Sequence, residues 1–164
     1  MPRNVYSEIN LHITWHTKSR TAVIVDEIER QLFLFIQRKI AEASEGLELH
    51  AIGGTADHVH LAVSVPPTLN VSEWIGQIKG ASAHHINHRI ANRGLLEWQT
   101  GYGVVSFGTK GLPWVVAYIR NQKEHHACGS TRERLERVER MEARERAEPD
   151  FSGVAVKPAV QRLA

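Results

Sequence analysis

Two histidines placed two residues apart are the first point in this sequence where side chains can act together. In Asp57-His58-Val59-His60-Leu61-Ala62-Val63-Ser64-Val65, apolar and polar residues alternate, which is the period-two signature of a β-strand. Side chains at that spacing leave the same face of a strand. His58 and His60 therefore project side by side and can chelate one divalent ion, while Ala62 and Ser64 leave room further along that face. An isolated His-x-His is more often only a polar sheet face. Here a second alternating run, residues 5–16, puts Asn10, His12 and His16 on its polar face. Laid beside the first run, it also offers His12 as a third ligand, so a site of His12, His58 and His60 is a rival arrangement. Imidazole alone does not choose among zinc, manganese and magnesium.

The second group lies on a helical pattern, Trp114 to His126. Tyr118, Gln122 and His125 share one stripe there by i, i+4, i+7 spacing. Taken singly, such a tyrosine is more often a hydrogen-bonded rim residue, and such a glutamine a solvated one. Together with a metal they acquire a use. A phenol loses its proton only near pH 10, so it is a weak nucleophile. A divalent ion that polarises a phosphate lowers the demand on it. The amide oxygen of Gln122 can join His58 and His60 as a ligand and still leave positions open for phosphate oxygens.

The elements that must position these residues read as β-α-β-β-α-β-α. The first strand covers residues 5–16. A helix starts near Asp26, where Asp26 with Glu29 resembles a capping box, and carries the stripe Ile28, Leu32, Phe35, Ile36, Ile40. Residues 47–52 read as the second strand, Gly53-Gly54-Thr55-Ala56 as a turn and residues 57–65 as the third strand, ended by Pro66-Pro67. Asn70 with Glu73 opens the next helix. Residues 96–107 read as a fourth strand broken by glycines, and Gly108-Thr109-Lys110-Gly111 as a joint. Pro113 opens a third helix that ends near Gly129. This order fits an α+β, ferredoxin-like (RRM-like) antiparallel sheet with helices, the first and third strands central, plus an extra C-terminal helix bearing the tyrosine.

The bulk numbers bound the rest. A chain of 164 residues suits one domain. There is one cysteine, Cys128, hence no internal disulfide, and no apolar run fits a membrane span or signal region. A cytoplasmic protein that touches no membrane is the expectation. The net charge of +2 does not by itself mark a nucleic-acid binder. Residues 1–129 are taken as the catalytic domain and 130–164 as a charged helical tail, solvated or packed on a partner subunit.

Asp57-His58-Val59-His60 resembles the HUH motif, and Tyr118-Ile119-Arg120-Asn121-Gln122-Lys123-Glu124-His125-His126 resembles the YIxNQxxHH signature of single-tyrosine HUH transposases, the IS200-like and REP-associated group. His12 to Lys18 is similar to that family's first strand, Ile78 to Ser82 to its K-G-x-S helix, and Trp98 to Gly103 to its W-Q-x-G-Y-G strand. The resemblance covers roughly residues 5–128. It implies a bacterial, nucleoid-associated DNA transposase, usually a homodimer, that recognises hairpins and cuts and rejoins single-stranded DNA. It implies Tyr118 as the nucleophile, forming a 5′-phosphotyrosine, and His58, His60 and Gln122 as ligands of Mg2+ or Mn2+. In such dimers the tyrosine helix often serves the partner's histidine pair. The mixed-charge tail departs from the family pattern and fits a domesticated relative as well as a mobile element.

Asp57, His12, Asn121 and His125 are candidate supporting residues. Lys18, Arg20, Lys79, Arg89, Lys110, Arg120 and Lys123 are candidate phosphate contacts, and Trp98 and Tyr102 candidate base-stacking residues. Two other readings compete: a metal-dependent hydrolase built on His12, His58 and His60, and a nucleic-acid-binding module without catalysis.

Overall fold

The computed structural model describes residues 5–43 and 45–138. Strand β1 is Asn10–His16, α1 is Asp26–Ala41, β2 is Glu48–Thr55, β3 is His58–Ser64, and α2 is Val71–His85, continued by a π-helical turn at Ile86–Ile90. Then follow β4 (Gly103–Phe107), α3 (Leu112–Arg120), α4 (Gln122–Cys128) and α5 (Glu133–Glu136). The four strands form one antiparallel sheet in the order β2-β3-β1-β4, with β1 and β3 central as expected.

The sheet separates two layers. Leu11, Ile13 and Trp15 of β1 and Val59, Leu61 and Val63 of β3 pack with Leu32, Ile36 and Ile40 of α1 and Trp74, Ile75 and Ile78 of α2. On the other face Ala51 and Ala62 meet Val115 and Ile119 of α3. The polar face is therefore covered: every residue of β1 is buried. The expected half-buried strand is buried on both sides, since α5 lies against β1 and α3 covers the neighbouring β3 and β2 on that face. That strand also begins at Asn10 rather than residue 5.

Asn70 caps α2 as expected, accepting from Glu73 N. The capping box at Asp26 does not form; Asp26 has φ 44° and α1 has no side-chain cap. The proposed turn at residues 53–56 is mostly strand, since β2 runs on through Gly53 and Gly54. A Cβ at Gly53 would run into the Ile119 carbonyl oxygen, so glycine lets the end of α3 sit directly on the sheet. The fourth strand is shorter than the 96–107 expectation. Lys79, buried on α2, donates to the carbonyls of Gln99 (2.6 Å), Thr100 (3.3 Å) and Gly101 (2.9 Å). Those carbonyls are thereby withdrawn from a strand ladder. The single tyrosine helix is broken at Asn121, whose φ of −101° and ψ of 22° leave the helical region. It does end at Gly129, with φ 66°.

The start of the charged tail does not project into solvent. Helix α5 lies against β1 and β4 of the same chain, with Leu135 buried. Residues 139–164 lie outside the described residues.

Candidate active site

The antiparallel register sets His58 opposite His16 and His60 opposite Thr14, with His12 opposite Ala62. All three of His12, His58 and His60 are buried. They take different parts. His58 Nδ1 faces Asp57 Oδ1 at 2.6 Å and Thr55 Oγ1 at 2.9 Å. Donation from Nδ1–H to the carboxylate leaves the lone pair on Nε2, aimed into the site. Asp57 is in turn paired with Arg20 at 3.2 Å. Burial works against the charged form of Asp57, but the hydrogen bonds of His58 and Thr55 outweigh it and lower its pKa.

His12 stands behind His60 rather than beside it in the site. Its Nε2 lies 2.9 Å from His60 Nδ1. With His60 Nδ1–H donating, His60 Nε2 also keeps its lone pair. That nitrogen is buried and faces Glu136 Oε2 at 3.3 Å without good hydrogen-bond geometry, a poorly satisfied position for a polar atom. Burial, with the neighbouring His60, lowers the His12 pKa to about 3. Burial likewise lowers His60.

Tyr118 and Gln122 reach the same place from the helical layer. Gln122 is buried, and its Oε1 is 3.4 Å from His58 Nε2. The Tyr118 ring lies edge-on to His60 with centroids 6.3 Å apart, between stacked Trp114 (5.5 Å) and His125 (4.8 Å). Its hydroxyl donates to Glu136 Oε1 and accepts from Arg132 N at 2.9 Å. Burial raises the Tyr118 pKa, as does Glu136, against a smaller lowering from the Arg132 N–H. The protein alone thus does not make this phenol more acidic.

The residue that joins the two half-sites is Glu136. Its Oε2 lies 3.3 Å from His60 Nε2, 3.6 Å from His58 Nε2 and 3.4 Å from His126 Nε2. Burial opposes its charge, but contacts with His60, Tyr118 and His58 outweigh this and hold its pKa well below the usual carboxylate range. Among the described residues, His58, His60 and Glu136 form the group of histidine and acidic side chains whose ligand atoms converge closely enough for a metal ion. Buried imidazole nitrogens converging with an amide oxygen and a carboxylate fit a divalent ion. Sequence reasoning missed Glu136 entirely, because it is one of many acids in a charged run. The one local cue is its neighbour Leu135, an apolar residue within that run.

The remaining candidates separate clearly. His125 bonds Ser130 Oγ at 2.8 Å and stacks on Tyr118. Asn121 is exposed at the helix break, accepting from His125 N at 2.9 Å. Lys110, Arg120 and Arg89 are exposed. Lys18 pairs with Glu97 at 3.1 Å and Lys123 with Glu29 at 2.7 Å, both on the surface. Arg20 is committed to Asp57 and also lies against the His16 ring, 2.8 Å from Nδ1. Lys79 is not a free phosphate contact, since its ammonium is turned inward to three carbonyls. Trp98 donates to Ser82 Oγ at 3.1 Å and packs edge-on against Trp15, which makes it part of the core.

Comparison with known proteins identifies the family. The family model described as "Transposase IS200 like" matches residues 5–122. The ISDra2 transposase TnpA of Deinococcus radiodurans is 29% identical over 129 residues, 74% of this chain and 89% of that protein. The transposase of insertion sequence IS200 from Salmonella typhimurium is 29% identical over 123 residues, 72% of this chain and 79% of that protein. Among solved structures, a Deinococcus radiodurans transposase superposes with a TM-score of 0.57 at 29% identity, over 74% of this chain and 96% of that one. A REP-associated tyrosine transposase bound to a REP hairpin shares the fold, with a TM-score of 0.56 at 18% identity, over 80% of this chain and 75% of that one. With a central histidine strand, a tyrosine helix laid across it and a family match spanning most of its length, the chain belongs to the IS200-like transposase family.

Proposed function

We propose that this transposase cleaves and rejoins single-stranded DNA at hairpin-flanked sites through Tyr118, with a divalent ion, Mg2+ or Mn2+, held by His58, His60 and Gln122. The observation that carries this reading is the convergence of the Tyr118 hydroxyl and the His58 and His60 Nε2 atoms on the two oxygens of one carboxylate. The hairpin on the REP-associated relative supports a hairpin substrate.

The chemistry assigned to the chain is transesterification. The Tyr118 oxygen forms a bond to the scissile phosphorus as the bond from phosphorus to the 3′ oxygen breaks. The phenol proton is lost, and the leaving oxygen takes one up as a 3′-hydroxyl. The DNA is left attached through a 5′-phosphotyrosine. A second 3′-hydroxyl then attacks that phosphorus and the phenol departs, so the number of phosphodiester bonds is conserved. The bound ion would supply Lewis-acid polarisation of the phosphate. His58 and His60 would hold it through Nε2, oriented by Asp57 and His12 respectively. Trp114 and His125 would fix the plane of the tyrosine ring between them.

Tyr118 faces the histidines of its own chain. The reading therefore brings all the residues assigned to the site together within one subunit; a homodimer is what the family resemblance implies. No helix among the described residues is long and apolar enough to cross a membrane.

The test uses labelled single-stranded hairpin DNA with Mn2+. Wild-type protein is expected to form a covalent adduct that survives denaturing electrophoresis. Tyr118→Phe is expected to form none and to cleave at least about a thousandfold more slowly. Equal cleavage by Tyr118→Phe, or no adduct with active protein, would overturn the proposal.

A further inference from the structure

We infer that Glu136 is itself a ligand of the divalent ion and uses its second oxygen to hold the Tyr118 hydroxyl beside that ion. This rests on the metal reading above and extends it, turning a neutral His-His-Gln set into one that carries an anionic oxygen.

The spacing of these atoms fits ligands of one shared ion. Metal–ligand bonds of about 2.1 Å set neighbouring ligand atoms about 3.0–3.4 Å apart in octahedral or tetrahedral sites. Glu136 Oε2 stands 3.3 Å from His60 Nε2 and 3.6 Å from His58 Nε2. Gln122 Oε1 stands 3.4 Å from His58 Nε2. The ligand atoms of His58, His60 and Glu136 all lie within 4.8 Å of one another. His60 Nε2 is fully buried and faces Glu136 Oε2 without good hydrogen-bond geometry.

The two oxygens of Glu136 are divided by task. Oε2 faces the imidazoles, and Oε1 accepts the Tyr118 hydroxyl. Arg132 N donates to the same hydroxyl from one turn away on the same segment. The segment is anchored: Leu135 is buried and Arg137 O packs closely over Gly103 of β4, where a side chain would collide with it. Glu136 is thus presented to the site by packing. Two imidazoles with one carboxylate suit a first-row transition ion better than an all-oxygen set would, so the arrangement favours Mn2+ over Mg2+.

The test is Mn2+ binding to the full chain without DNA, followed by electron paramagnetic resonance. E136Q keeps the size of the side chain and an oxygen for Tyr118 but removes the charge. It is expected to weaken Mn2+ binding at least about tenfold, as loss of a metal-supporting group does. Binding within twofold of wild type, or tighter binding, would overturn the inference, the second by showing that the carboxylate competes with the ion. The double variant His58→Ala/His60→Ala separates the two levels. If it still binds Mn2+ like wild type, the metal reading fails; if only E136Q is normal, the Glu136 inference alone fails. Anomalous diffraction from Mn2+-soaked wild-type crystals needs no variant. A peak within about 2.3 Å of a Glu136 oxygen supports the inference, and one beyond hydrogen-bond distance of both oxygens overturns it.

Discussion

Asp57 fixes which nitrogen of His58 is free, and that makes it the sharpest residue to perturb. Its carboxylate takes the Nδ1 side at 2.6 Å and is itself braced by Arg20 at 3.2 Å. Asp57→Asn keeps the shape but can donate as well as accept, so the tautomer is no longer dictated. Loss of such an orienting partner typically costs about 10–100-fold in metal affinity. Calorimetric titration with Mn2+ should show that loss, and an affinity equal to wild type would count against the orienting role. At this scale the sequence was most legible where side-chain direction follows from strand period, as at His58 and His60. It was least legible where a residue acts from a loop or short helix. Glu136 lies in a run of acids and bases, and nothing in its type or spacing separates it from its neighbours. Lys79 shows the converse: its type suggests a phosphate contact, and its ammonium is turned to three carbonyls.

Helix α3 and strand β2 meet backbone to backbone at Gly53, and this contact sets the height of Tyr118 above the sheet. Gly53→Ala drives a methyl into the Ile119 carbonyl, with no flexible side chain to give way. A loss of about 1–3 kcal/mol in unfolding free energy is expected from such overpacking, along with weaker DNA cleavage as Tyr118 and Gln122 are lifted. Urea denaturation that matches wild type would show that α3 is free to shift. Lys79 gives a second test between elements. Lys79→Met keeps the stem but strands three carbonyls, one of them at 2.6 Å from the ammonium. A cost of about 1–2 kcal/mol is expected, since charge-assisted hydrogen bonds are lost while the carbonyls, on part-buried and exposed residues, can turn to water; a neutral variant would mean water replaces the ammonium fully. The order of strands and helices was readable because periodicity changes at each boundary. The short β4 was not, because it depends on a distant partner, Lys79, and not on local propensity; the break at Asn121 has no sequence signal that marks it.

Across the whole molecule, the polar layer sealed between sheet and helices ties stability to pH. His12 titrates at about 3 and His16 at about 4 when folded, against 6.5 for the free ring, burial being the main cause in both. As pH falls below 6.5 the unfolded chain takes up protons at these rings while the folded chain does not. The unfolded state then binds more protons, so stability is highest above pH 6.5 and falls steadily as pH drops toward about 4. The slope is at most about 1.4 kcal/mol per pH unit for each histidine. Asp57 and Glu136, with lowered pKa values, add losses in the same direction only at lower pH. Denaturant unfolding in chelator at pH 7, 6 and 5 should show the decline, and a flat or rising profile over that range would refute it.

The position of α5 also has a consequence for how the protein comes into being. The histidine strands lie at residues 10–16 and 58–64, and the carboxylate that faces them is at 136, on the last of the described helices. Chains emerge from the ribosome N-terminus first. The sheet is therefore available well before Glu136 has been translated, and a nascent chain halted near residue 130 holds its imidazoles and its tyrosine without the acid that connects them. The order of synthesis makes the last short helix the step that completes the site.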